Sequence, residues 1–542
     1  MDAHRLLDSQ YRFLHHTLKT RPGAKYSIPE VIYATTGYPH LAGIVIPYRQ
    51  THGIFCQLFI IFRGYAIGLA RRKIRHVNHF CSVPRHPDGH YSLYGKNVKK
   101  FIRFYFRRKK DRRCRSCPLI GIQAIWFALG CVIGIIFIWF VMGNRLRKES
   151  EATGARTITS MISRKFPGAE KAIGTISSLI IIFFLLFYIT AQFYGGGKVL
   201  FDTFGINQTL GIVIGSLIVV VYCMIGGFIT VVATDVFQAL LMIISLIVMP
   251  IILLYLISIN HIDIAAGLQK AGATYLSATG GKTGMGAFLL ILSGMSWALG
   301  YTGQPQLLTR MMVIRSERDY RKAKWVAGTW TFFAYAGALL VGFMGIVFVK
   351  EGWVGAGAVA RLAADKGHEL IFPVLVNAFM PTVIAGFLLS GAISAMMSTA
   401  SSEIILCSSA ITEDIYGNYT KKKMAQKKEL WFNRVITLLV GLVAFFLALH
   451  PSDSIFKMVS YAWSGIGSSF GPAILLVLFW KKVSRAGVIA SLLSGTIGTI
   501  IWKAFFEKPT AISERLTSFV FAFTMAVLFS LLIPEKKSIV KN

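Results

Sequence analysis

From Pro118 onward the chain alternates long apolar runs with short polar loops. A bilayer core of ~30 Å is crossed by about 20 helical residues, so each run is a candidate spanning helix. The runs fall near 118–143, 173–194, 209–231, 235–258, 284–305, 325–349, 382–411, 431–450, 456–480, 484–506 and 515–533, which makes eleven. Several hold Gly or Pro, among them Gly226, Gly227 and Pro305. A membrane helix tolerates these where its neighbours satisfy the freed backbone groups. The pattern predicts an all-α polytopic membrane protein.

Composition agrees with this and raises one apparent conflict. Of 542 residues, 54% are hydrophobic and only 15% charged, well below the roughly 25% charged residues usual for a soluble domain. Yet the formal net charge is +34. Dividing the chain resolves this. Residues 1–117 carry 23 Lys and Arg against 5 Asp and Glu, and the remainder 35 against 19. In the remainder the positive charge follows alternate loops. One set of loops holds 24 basic residues, in 145–171, 310–324, 421–428, 481–485 and 536–541, and the other set holds nine. The positive-inside rule places the richer set, and with it the C-terminus, on the cytoplasmic side. The first 40 residues lack the apolar core of a cleavable signal peptide. Cys131, Cys223 and Cys407 lie within apolar runs, where a thiol is a small hydrophobe, and no disulfide framework is expected.

Two segments carry candidate chemistry. In 385–403 the residues Ala395, Ser398 and Thr399 share one helix face at i, i+3 and i+4. A hard cation such as Na+ is held by oxygens, and two hydroxyls with a freed carbonyl supply three, the others coming from a facing broken helix. The alternative is helix packing through small residues. In 294–306, Trp297 and Tyr301 lie four apart, flanked by Gly300, Gly303 and Pro305. They form either a wall against which a small ring packs or an interfacial aromatic belt beside a kink.

These residues resemble the sodium:solute symporter family. The resemblance runs over 118–533. It rests on Gly226-Gly227-Phe228 followed by Thr234-Asp235, on Trp297 and Tyr301 with Gly303-Gln304-Pro305, and on Met397-Ser398-Thr399. Cys407 to Asp414 and Val459 to Trp463 add to it. It implies a leucine-transporter-like core of two inverted five-helix repeats with flanking helices, thirteen in all, of which the eleven runs are the third to the last. It implies a Na+ site at Ala395, Ser398 and Thr399, and substrate contacts at Tyr188, Trp297, Tyr301, Gln304 and Pro305, with Tyr188 the looser match. It further implies Na+-coupled import of a small amino acid, proline above others, through the cell membrane. Asp235 matches a carboxylate that influences sodium dependence, and is equally readable as an acid favoured at a helix N-terminus.

Two departures stand out. Glu403 lies four residues past Thr399 where an uncharged amide is usual. Such an acid either tunes the ion site or, protonated, hydrogen-bonds to nearby Ser residues. Residues 1–117 should hold the first two helices, with a Ser-Asp-Met-Ser-Gly-like stretch, and they do not. The region is instead rich in Arg, His and Cys. An abrupt onset of resemblance at a helix, with room before it for both helices, points to a shift of reading frame near Cys117, a replaced region being the alternative. A chain made as written is then expected to transport poorly.

The remaining readings are weaker. Another small solute or carboxylate could be carried. A membrane-tethered basic or metal-binding protein would draw on Arg107 to Arg115, His76, His79, Cys81 and the Cys114–Cys117 pair, but the spacing does not make a four-ligand zinc site. No nucleic-acid partner is expected. No nucleophile–base pair or phosphate loop suggests an enzyme. The domains expected are 1–117, the transmembrane domain 118–533 and a cytoplasmic tail 534–542.

Overall fold

The computed structural model describes residues 121–535 apart from 365, 421–424 and 511, and these lie in one compact unit, Tyr105–Asn542. The atypical region 1–117, with its basic run and its His and Cys residues, lies outside the described residues, as does the tail from 536 on.

Among the described residues the structure is helical throughout, and eleven helices are long and apolar enough to cross a membrane. They are α1 (Gly121–Thr153), α2 (Glu170–Phe204), α3 (Gln208–Gly227), α4 (Thr230–Ile259), α5 (Gly284–Tyr301), α6 (Glu317–Lys350), α7 (Thr382–Tyr416), α8 (Lys427–Leu449), α9 (Ile455–Phe479), α10 (Arg485–Phe506) and α11 (Glu514–Leu532). The number matches the apolar runs, while several helices outlast them. Hydropathy marks only the stretch inside lipid, whereas backbone hydrogen bonding continues until a cap stops it. Thus α1 runs on through Arg145 to Thr153 and ends at Gly154, and α2 ends at Gly205.

The helices α3 and α4 are two spans that double back on each other at a sharp turn, so that Tyr222 of α3 and Met242 of α4 reach the adjacent residues Met397 and Ser398 of α7. At Gly227 the backbone adopts φ 55°, ψ −150°, a conformation that a side chain would not allow. The turn falls at the Gly226-Gly227 pair of the family motif.

α9 is the axis of the bundle. In its most apolar window 83% of residues are buried inside the protein, against 28–50% in the other spans. It packs against α2, α5, α10 and α11. Its small residues permit this. Lipid offers helices no hydrophobic drive to associate, so close backbone approach and dispersion must supply it. A β-carbon on Gly467 would lie 2.6 Å from Gly300 Cα, and one on Gly303 would lie 2.6 Å from the Gly471 nitrogen. On the other side α7 packs against α2 and the α3–α4 pair. Large apolar side chains such as Ile225, Val236, Val326 and Trp431 point outward, as a lipid-facing surface requires.

The motif residue Asp414 finds a structural use. α7 ends in a wide π turn, Ala410–Tyr416, where Asp414 accepts a hydrogen bond from Thr157 at 3.0 Å. Thr157 also caps the short helix Ile158–Arg164 through a reciprocal box with Ser160. At the opposite end Lys198 of α2 ion-pairs with Glu369, and Glu369 also accepts from the backbone nitrogen of Ile455 at 2.7 Å.

The α5–α9 contact yields a prediction. Gly467→Ala is expected to lower stability by about 1–3 kcal/mol through overpacking, read as a lower thermal midpoint in detergent. Gly196→Ala, which meets nothing within 4 Å, should leave the midpoint unchanged or raise it.

Candidate functional site

α5 ends at Tyr301, and a new helix, Pro305–Met312, starts after the bend at Thr302–Gln304. Pro305 occupies the first turn of that helix, where its missing N–H costs nothing. It therefore begins a helix, and the break lies just ahead of it. Gln304 spans the gap from a fully buried position. Its amide nitrogen donates to the carbonyls of Gly300 and Trp463, both at 3.2 Å, and its carbonyl accepts from Gln306 at 3.1 Å. One side chain thus takes up carbonyls that a broken helix leaves open, and ties the break to α9.

Beside this break lies a cavity of about 220 Å³. Tyr188 comes to it from α2, Asp235, Ala239 and Met242 from α4, and Ser398, Thr399 and Ser402 from α7. Trp463 of α9, Trp330 of α6, and Gln306, Leu307 and Arg310 from the helix after the break complete its lining. At ~30 Å³ per liquid water the space equals about seven waters, the scale of one small amino acid.

On the α7 wall Ser398 and Thr399 both donate to the carbonyl of Ala395, at 3.1 and 2.9 Å. The three oxygens share one helix face, but the helix is unbroken at Ala395, so its carbonyl is not the freed one that the sequence reading expects; the two hydroxyls take it up. Back-bonding of this kind is how a membrane helix satisfies a hydroxyl with no other partner, and the hydroxyl lone pairs stay available to a cation.

Asp235 does not sit at a helix start. It lies within α4, its side chain 11% exposed, and pairs with Arg310 at 2.6 Å. Arg310 also donates to Ser402 at 2.9 Å. The helix-dipole alternative is thereby replaced by an ion pair joining α4, α7 and the helix after the break.

The aromatic residues form two layers. Tyr188 and Trp463 face the cavity, with ring centroids 6.4 Å apart. Behind Trp463 stand Tyr301 at 4.6 Å and Trp297 at 5.8 Å. Tyr301 shares a hydrogen bond with Tyr335 at 2.7 Å, and Arg515 lies 4.4 Å over the Trp297 ring. Trp297, Tyr301, Gln304 and Pro305 thus back the cavity wall without lining it, while Tyr188 lines it. Trp463, Gln306 and Arg310 do line it, and sequence reasoning gave them no role. Trp463 stood in a quoted motif. Arg310 was counted only as loop charge, although a basic residue five positions after a helix-breaking proline carried the available signal.

Glu403 is fully buried, and neither carboxyl oxygen has a hydrogen-bond partner. The expected bond to a neighbouring Ser is absent. Ser401 donates instead to the carbonyl of Ser398 at 3.0 Å, and Ser402 is taken up by Arg310 and Asp235.

A bundle whose broken helix and hydroxyl-bearing helix enclose a small polar cavity within the membrane has the build of a secondary transporter. Comparison with known proteins makes this specific. The model of the sodium:solute symporter family matches residues 116–495, and the chain belongs to that family. It is 34% identical to the sodium/proline symporter of Escherichia coli (strain K12) over 428 residues, 76% of this chain and 80% of that protein. With the osmoregulated proline transporter OpuE of Bacillus subtilis (strain 168) it shares 30% identity over 415 residues, 76% and 81% of the two chains. Among solved structures, the substrate-bound outward-open state of a Na+-coupled sialic acid symporter superposes with a TM-score of 0.58 at 17% identity, covering 78% of this chain and 88% of that one. The leucine-transporter-like architecture is the shared fold.

The Asp235–Arg310 pair is testable by a double-mutant cycle. Asp235→Asn and Arg310→Gln should each lower the thermal midpoint, and the double variant should lose less than their sum. The coupling expected is about 1 kcal/mol, modest because Arg310 is half exposed, and it should shrink in high salt.

Proposed function

We propose that this chain imports proline into the cell together with Na+, by alternating access around the cavity beside the broken helix. The observation that carries the reading is that Ser398 and Thr399, both bonded to the Ala395 carbonyl, stand on the wall of that cavity. Three preset oxygens replace part of the water that Na+ sheds on entering hydrocarbon. Tyr188 and Trp463 offer ring faces to a small apolar ring. Buried polar atoms without partners, Gln306 Oε1 and Trp463 Nε1, are available to a zwitterion's ammonium and carboxylate. Trp297, Tyr301, Gln304 and Pro305 fix the shape of this wall from behind. The names of the two curated relatives support proline.

Direction and gating follow the charge pattern. The loop set richer in Lys and Arg lies in the cytoplasm, with the C-terminus beside it, in the cell's inner membrane. The Asp235–Arg310 pair then stands at the cavity on the cytoplasmic side, and the Lys198–Glu369 pair on the outer side, away from the residues that line it. Release inward requires the helix bearing Arg310 to leave Asp235. Alternating access is rocking of one half of the bundle against the other, and one such contact is broken in each direction.

The decisive measurement is uptake of labelled proline into proteoliposomes with an inward Na+ gradient, against choline in place of Na+. It is made on the chain as written and on one whose first 117 residues are replaced by the in-frame reading of the same DNA. We expect that reading to restore two apolar helices with a Ser-Asp-Met-Ser-Gly-like stretch and to raise uptake. Equal uptake in Na+ and choline by the chain with the restored N-terminal region would sink the proposal. Ser398→Ala and Thr399→Ala should each raise the Na+ needed for half-maximal uptake by about tenfold, the equivalent of ~1.4 kcal/mol and within the range of one lost bond to a charged group.

A further inference from the structure

Placing Na+ on the Ala395–Ser398–Thr399 patch puts a full positive charge on three neutral oxygens inside the bundle. The Asp235–Arg310 pair nearby does not balance it, because that pair is already neutral as a whole. Glu403 is the remaining acid on α7 between the patch and the π turn at its end, one helical turn beyond Thr399. It is 0% exposed, and neither oxygen meets a donor among the described residues. An ionised carboxylate so placed has no compensating partner among them, and a buried charge is tolerated only when paired. The same carboxylate beside a bound Na+ is compensated. Proton and metal ion are thus alternative ways of keeping the site neutral.

Resting on the transport reading above, we propose that Glu403 is a proton-binding site that exchanges with Na+. As the cation settles on the oxygen patch, the O–H bond of the Glu403 carboxyl breaks, and the proton passes to water through the cavity that Tyr188 lines. The carboxylate left behind offsets the charge of Na+, so one positive charge enters as one leaves. When Na+ departs inward, the carboxylate takes a proton back. Each cycle that carries solute and Na+ inward then carries one proton outward, and a pH difference between the two faces changes the force driving it.

The surroundings leave this role to Glu403. Within its electrostatic reach are the Tyr188 hydroxyl on α2 and the Cys407 thiol on α7 itself. On α3 Cys223 contacts the Ser401 carbonyl at 4.0 Å, and on α4 Asp235 is held by Arg310. On α8 Arg434 donates to the Met224 carbonyl. None of these supplies Glu403 with a counter-charge.

Coupling of this kind is reciprocal: protons weaken Na+ binding as much as Na+ expels protons. In the full-length protein, the Na+ concentration giving half-maximal binding should rise about tenfold per pH unit on the acid side of the exchange. Adding Na+, but not choline, to lightly buffered detergent solution should release up to about one proton per Na+ bound. Glu403→Gln should flatten the pH dependence and abolish the release. A second measurement needs no variant. N,N′-dicyclohexylcarbodiimide, an apolar reagent for protonated carboxyls, should label Glu403 in the wild-type chain, located by mass spectrometry, and Na+ should slow that labelling several-fold. Labelling indifferent to Na+, or proton release surviving in Glu403→Gln, overturns the inference while Na+-driven uptake would still stand. Absence of any Na+ effect on binding or uptake overturns the transport reading and this inference together.

Discussion

Hydrocarbon offers no hydrogen bonds, and the rest of this structure follows from that one constraint. Each polar group carried into the bilayer must find its partner within the protein or bring one from solution. Backbone groups solve the problem by forming helices, and most hydroxyls solve it by bonding back one turn, as Thr190, Ser245 and Ser464 do. Groups that do not fit this scheme occur through the bundle, Ser177, Thr499 and Ser518 among them, and some lie at or beside the cavity. There α5 breaks and leaves carbonyls for Gln304 to take up, two hydroxyls bond to one carbonyl, and Glu403 has no partner among the described residues. Gln306 Oε1 on the cavity wall is a polar atom left open to whatever enters.

A rigid pocket with that property would be a trap. Mobility comes from how the walls are joined. The aromatic backing is held by packing and hydrogen bonds around α9, including Tyr301 to Tyr335 and the Arg515 guanidinium over Trp297. Arg515 also donates to Ser460, while Glu514 accepts from Ser460 at 3.2 Å and Ser464 at 2.9 Å. The charged start of α11 is thereby bound to α9. Two ion pairs are of another kind, Asp235 with Arg310 at the cavity and Lys198 with Glu369 outside its lining, each bridging different helices. Apolar packing interlocks over many atoms, whereas a half-exposed pair such as Asp235–Arg310 separates in one step once water reaches it. A firm backing beside a breakable contact suits a device that alternates between two states.

How much of this could be read from the residues depended on the range of the interaction concerned. The eleven spans were legible, because apolar length is a local property and lipid imposes it on each helix separately. The Ala395–Ser398–Thr399 patch was legible for the same reason, since helical periodicity alone puts the three on one face. Positions that depend on a partner helix were not. Asp235 read equally well as a dipole-favoured acid until Arg310, 75 residues away, was seen beside it. Trp297 and Tyr301 were placed correctly on one face of α5, but whether that face meets the cavity depends on Trp463 standing in front of it.

Glu403 shows how a local rule fails and what the failure means. Hydroxyls close by in sequence suggested that a neutral carboxyl would bond to one of them. In the fold those hydroxyls are already committed, Ser401 to its own helix and Ser402 to the Asp235–Arg310 pair. A glutamine in the same place would raise no difficulty of charge. An ionised glutamate does raise one, and no described residue removes it. A proton or a cation that comes and goes removes it, and on the proposed exchange that requirement couples the carboxyl to the transport cycle.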